Sequence, residues 1–89
     1  MAVEQPRKQE VPNMVAAYIM VKANTGEADR LKNAILGIDG VEDAHIVAGD
    51  VDLIVKVQVE NPAEVKTISA DGIQGIQGVE DTQTYISMD

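Results

Sequence analysis

The residues that could do chemistry in this 89-residue chain are few, and they are scattered. His45 is the only histidine, there is no cysteine, and Tyr18 and Tyr85 are the only aromatic residues. A lone histidine makes neither a metal site nor a catalytic triad, and no serine or cysteine nucleophile motif accompanies it. Asp43, Asp50 and Asp52 could gather a hard cation, but they lack the ligand density of a calcium loop. Gly72, Gly75 and Gly78 match no phosphate-cradling pattern, because no strand-to-helix turn follows them. Gly49-Asp50-Val51-Asp52, taken alone, is a β-hairpin turn. Met20 and Met88 read as core or interface filler. The residues therefore point to no cofactor and no metal, and they argue against an enzyme.

The elements that must position these residues follow from pattern. Val15, Ala17, Ile19 and Val21 alternate along a strand over 15–23, whose other face carries Tyr18, Met20 and Lys22. Asn24-Thr25-Gly26-Glu27 predicts a helix start with a capping side chain, and Ala28, Leu31 and Ile35 recur at helical spacing. Gly37 and Gly40 end that helix. A strand is expected over 41–48, then the Gly49–Asp52 turn, then a strand over 52–60 with Leu53, Val55, Val57 and Val59 inward. Asn61-Pro62-Ala63-Glu64 is a helix N-terminus with proline at its first position and a capping-box glutamate. Val65, Ile68 and Ile73 form its apolar stripe, and the glycines at 72, 75 and 78 are expected to fray its end. A last strand is placed over 79–88.

The order is βαββαβ. An internal repeat supports it independently: Gly40-Val41-Glu42-Asp43 recurs as Gly78-Val79-Glu80-Asp81. Gly37-Ile38 and Gly75-Ile76 precede the two copies at the same offset. The chain thus reads as two βαβ halves, the construction of a ferredoxin-like split βαβ fold. The expected architecture is α+β, a four-stranded antiparallel sheet with two helices on one face, dimerising through the sheet. Residues 1–13, with Pro6 and Pro12 and no periodicity, read as a flexible leader or a cloning remnant. A single domain then occupies residues 14–89.

Composition narrows the partners. The formal charge is −8, and since Glu4 and Glu10 offset Arg7 and Lys8, the whole excess falls after residue 14. So acidic a surface repels phosphate backbones, and direct nucleic-acid binding is disfavoured. The same charge suits a salt-rich cytoplasm, such as that of a halophilic archaeon; an ordinary acidic protein explains it equally. No apolar run is long enough to span a bilayer and no signal peptide is visible, so a cytoplasmic location without a membrane partner is expected. A thin core without Phe or Trp gains by burying a sheet face against a second copy, which predicts a homodimer or higher oligomer.

The run His45-Ile46-Val47-Ala48-Gly49-Asp50-Val51-Asp52-Leu53-Ile54-Val55-Lys56-Val57 resembles the effector-binding (RAM) domain of the Lrp/AsnC transcriptional regulators. In both, an apolar strand leads through a Gly-x-x-Asp turn into a second apolar strand with a central lysine. Gly78-Val79-Glu80-Asp81-Thr82-Gln83-Thr84 is similar to the family's Pro/Gly-Val followed by a Thr-x-Thr strand. The likeness spans roughly residues 15–88. It departs at Val51, where the family often has an aromatic residue, and the fourteen leading residues cannot hold a helix-turn-helix. The resemblance therefore implies a stand-alone module, acting on transcription through a helix-turn-helix partner of the same family. It also implies an amino-acid effector bound between dimers, and nominates Gly49, Asp50, Val51 and Asp52, with Thr82 and Thr84 of a neighbouring dimer opposite. The chemistry is reasonable: Asp52 could meet the ammonium group, and the two threonine hydroxyls the carboxylate. Two other readings stay open, a structural subunit without a ligand and, less favoured, a dimeric α+β barrel enzyme.

Overall fold

The computed structural model describes residues 14–24 and 26–88. The leader assigned to residues 1–13 lies outside them, as does Thr25 of the first helix start. Seven elements follow in order: β1 (Val15–Ala23), α1 (Ala28–Leu36), β2 (Val41–Ile46), β3 (Leu53–Val59), α2 (Pro62–Lys66), a π-helical continuation of α2 (Thr67–Ile73), and β4 (Val79–Ile86). The four strands form one antiparallel sheet in the order β2-β3-β1-β4. Each helix-bearing connection therefore skips over one strand, which is the ferredoxin-like arrangement.

Strand alternation divides the sheet into two faces. Ala17, Ile19, Val21 and Ala23 of β1, Leu53, Val55, Val57 and Val59 of β3, and Ala44 of β2 are buried on one face. Leu31 and Ile35 of α1 cover that face, with Val65, Ile68 and Ile73 of the second helix. The other face has no layer over it among the described residues. The strand register aligns it in rungs: Asp43, Lys56, Tyr18 and Tyr85, then His45, Ile54, Met20 and Gln83.

The two helices begin differently. Asn61 caps α2 as expected: its side chain accepts the Glu64 amide at 3.2 Å and its Nδ2 donates to the Glu64 carboxylate at 3.0 Å. The first helix instead starts at Glu27 without a side-chain cap, and Asn24 contributes its backbone carbonyl to the Glu27 amide. Glu27 turns its carboxylate onto Arg30, whose guanidinium also donates to the Gln77 carbonyl at 2.7 Å. Beyond Lys66 the helix does not fray. It widens into π geometry, with the Gln74 amide donating to the Ser69 carbonyl at 3.0 Å, and this keeps Ile73 buried. The outer strands are also shorter than expected, because β2 stops at Ile46 and β4 at Ile86.

The repeat is visible in space. Ile38 and Ile76 each donate their amide to the isoleucine three residues earlier and accept from the valine three residues later. Glu42 and Glu80 occupy matching bulges at the starts of β2 and β4. Gly40 and Gly78, with φ of 95° and 107°, make the turns that enter those strands. The halves differ in their filling: the positions of Leu31 and Ala44 in the first half are taken by Ser69 and Thr82 in the second.

Candidate functional site

The β2–β3 turn lies at the end of the sheet where β1 runs out toward α1. Three hydrogen bonds fix it there. The Val47 amide donates to the Asp52 carbonyl at 2.9 Å, closing the turn on itself. The Asp52 amide donates to the Val21 carbonyl at 2.8 Å, and the Asp52 carboxylate accepts the Ala23 amide at 2.8 Å. Lys22, on the open face of β1, reaches across to donate its ammonium to the Asp50 carbonyl at 3.1 Å.

A cavity of about 240 Å³ opens beside this turn. Met20 and Lys22 of β1 form one side, Asp50 and Val51 of the turn a second, and Asp81, Thr82 and Gln83 of β4 a third. Its lining mixes apolar, polar and charged side chains. Its size falls below the roughly 300–1,000 Å³ of sites for drug-sized ligands, and so suits a smaller molecule.

The expected residues divide at this site. Asp50, Val51 and Thr82 meet around the cavity within one chain. Gly49 sits at the turn with φ of 157° and open space about its Cα. Asp52 is not among the lining residues, and its carboxylate holds the turn to β1. Thr82 and Thr84 share a face of β4, as their spacing requires, and pair with Val21 and Ile19. Their hydroxyls are turned toward the π-helical segment. Thr84 Oγ1 donates to Ser69 Oγ at 3.2 Å, Thr82 Oγ1 lies 3.4 Å from the same oxygen, and Gln74 Nε2 donates to Thr82 Oγ1 at 2.6 Å.

Sequence reasoning did not nominate Lys22, Met20, Asp81 or Gln83. The strand register could have found them: on the open face of β1, Met20 opposes Gln83 and Lys22 opposes Asp81. His45 lies on the far edge strand, exposed, with Nε2 3.0 Å from the Asp43 carboxylate. Met88 is 93% exposed and contributes nothing to the core.

Among the described residues no group of three or more His, Asp or Glu side chains could hold a metal ion, and no helix is long and apolar enough to cross a membrane. A βαββαβ chain forming a four-stranded antiparallel sheet with two helices on one face defines a ferredoxin-like α+β domain. The chain belongs to the Lrp/AsnC family: the family model described as the Lrp/AsnC ligand binding domain matches residues 16–89. It is 33% identical over 88 residues to an uncharacterized HTH-type transcriptional regulator of Pyrococcus abyssi, covering 96% of this chain and 59% of that protein. The chain thus spans little more than half the length of the curated relatives it matches.

Solved structures share the fold. One protein of Thermus thermophilus superposes with a TM-score of 0.81 at 24% identity, over 84% of this chain and 94% of that one. A transcriptional regulator of Neisseria meningitidis, solved as a complex with L-Met, gives 0.76 at 17% identity, over 98% and 60%.

Proposed function

We propose that this chain is a non-catalytic regulatory module that binds a small effector of the amino-acid class and assembles with copies of itself. The observation that carries the reading is the cavity at the β2–β3 turn, in a chain whose family is defined by ligand binding. It joins Asp50 and Val51 of the turn to Thr82 of β4, the two segments the sequence motifs single out. The cavity offers an ammonium at Lys22 for a ligand carboxylate and carboxylates at Asp50 and Asp81 for a ligand amine, the charge pattern a zwitterion requires. That the Neisseria regulator of the same fold was solved with L-Met supports the ligand class.

In this reading Gly49 and Asp52 set the turn, Asp50 and Val51 face the ligand, and Asp81, Thr82 and Gln83 present the β4 side, while Thr84 ties β4 to the π-helical segment. Assembly uses the open face of the sheet, where Tyr18 and Tyr85 stand side by side across β1 and β4, both exposed. Two such faces stacked would bury apolar area that a small core lacks. The helix-turn-helix that reads DNA in such a system is not among the described residues; with its net charge of −8 this domain takes no direct part in DNA contact.

The test is a thermal-shift screen of the twenty amino acids with assembly followed by light scattering. One amino acid, or a small chemically related set, is expected to raise the unfolding midpoint and change the assembly size. Silence from all twenty with a constant assembly would overturn the effector reading and leave a structural subunit.

A further inference from the structure

We infer that the cavity selects amino acids whose side chain carries a positive charge, the lysine and arginine class. The inference rests on the effector reading above and concerns which effector that site prefers.

The argument is one of charge balance inside a defined cavity. Three ionisable residues line it, one base and two acids: Lys22, Asp50 and Asp81. None of the three forms an ion pair among the described residues, whose only such pairs are Arg30 with Glu27, His45 with Asp43 and Lys56 with Glu42. The Lys22 ammonium is directed at the backbone carbonyl of Asp50, and the Asp81 carboxylate accepts only the adjacent Thr82 amide, at 2.9 Å. An ordinary zwitterion brings one charge of each sign. Its carboxylate meets Lys22, its ammonium meets one aspartate, and the other aspartate is left without a cation. A second positive charge on the ligand supplies the missing partner. A side-chain carboxylate would instead add a fourth negative charge, beside the two aspartates and the ligand's own α-carboxylate, to the same small space. The apolar lining fits as well, since Met20 and Val51 offer a surface for the methylene stem of a long basic side chain.

The experiment is a calorimetric titration with three probes: L-lysine, L-norleucine, which keeps the stem and lacks the amine, and L-glutamate. L-Lysine is expected to bind up to about fivefold more tightly than L-norleucine, the upper end of the scale of one ion pair open to solvent, with L-glutamate weakest. The preference for lysine should shrink toward unity in Asp50→Asn and in Asp81→Asn, where asparagine keeps an acceptor for Thr82. It should persist in Glu60→Gln, which removes a charge at the opposite end of β3. The wild-type ratio should also fall between about 0.1 M and about 1 M salt, a check that needs no variant. Equal binding of lysine and norleucine would overturn this inference and leave the effector reading standing. So would a preference that Glu60→Gln reduces as much as the cavity variants do, because the net field alone would then account for it. Failure of every amino acid to bind would overturn both.

Discussion

The carboxylate of Asp52 accepts the backbone amide of Ala23 at 2.8 Å, tying the β2–β3 turn to the end of β1 across 29 residues of chain. This bond commits the Asp52 carboxylate to the turn that carries Asp50 and Val51. Asp52→Ala leaves a half-buried amide without a partner and is expected to cost about 1–3 kcal/mol of stability. Asp52→Asn retains an acceptor and should cost distinctly less. Urea unfolding of the two variants beside wild type measures the difference, and equal midpoints for all three would show that the bond contributes nothing.

Gly40 and Gly26 share a positive φ, at 95° and 88°, yet differ in surroundings. A Cβ on Gly26 meets nothing within 4 Å among the described residues, whereas one on Gly40 would come within 2.7 Å of Ile68 and 2.9 Å of Val59, both buried. Gly26→Ala should therefore cost only the backbone strain, about 1–2 kcal/mol. Gly40→Ala adds overpacking of about 1–3 kcal/mol. Chemical denaturation of the pair tests the order; a Gly26 variant as unstable as the Gly40 variant would contradict it.

If the open sheet face carries assembly, a charge at its centre should disperse the complex. Tyr18→Glu sets a carboxylate beside Tyr85 and opposite Lys56, away from the helices. The expected outcome is a smaller particle by light scattering, with circular dichroism unchanged. An unaltered particle size would remove this face from the interface.

With a net charge of −8, self-repulsion opposes the compact state and salt should relieve it. The unfolding midpoint is expected to rise between low and molar KCl. A midpoint indifferent to salt would count against an adaptation to concentrated salt.

The legible parts of this molecule were those governed by local pattern. Strict alternation in β3 and the Asn61-Pro62-Ala63-Glu64 start of α2 each have one physical solution, and the structure adopts it. The offset between Gly40 and Gly78 exposed the two-half construction because a positive-φ turn demands the same residue twice. The first helix start was legible in place but not in detail: Glu27, last of the expected Asn24-Thr25-Gly26-Glu27 segment, is the N-cap, and its carboxylate engages Arg30 without a side-chain cap bond. The cavity was only half legible. The turn and Thr82 belong to contiguous motifs, but Lys22 and Asp81 meet through strand register, which pairs residues far apart in sequence and is set by packing over the whole sheet.

The replacement of Leu31 and Ala44 by Ser69 and Thr82 makes the two halves unequal in cohesion. In the first, apolar side chains exclude water between α1 and β2; in the second, a chain of hydroxyls and the Gln74 amide bridges the π-helical segment to β4. Hydrogen bonds of this kind add about 1 kcal/mol each and exchange readily with solvent, while buried aliphatic contacts do not. β4 and the helix above it are therefore expected to open first, and their amides should lose protection to deuterium before those of β1 and β3. β4 contributes Asp81, Thr82 and Gln83 to the cavity, so an effector seated there would be read out as a change in how long β4 stays closed.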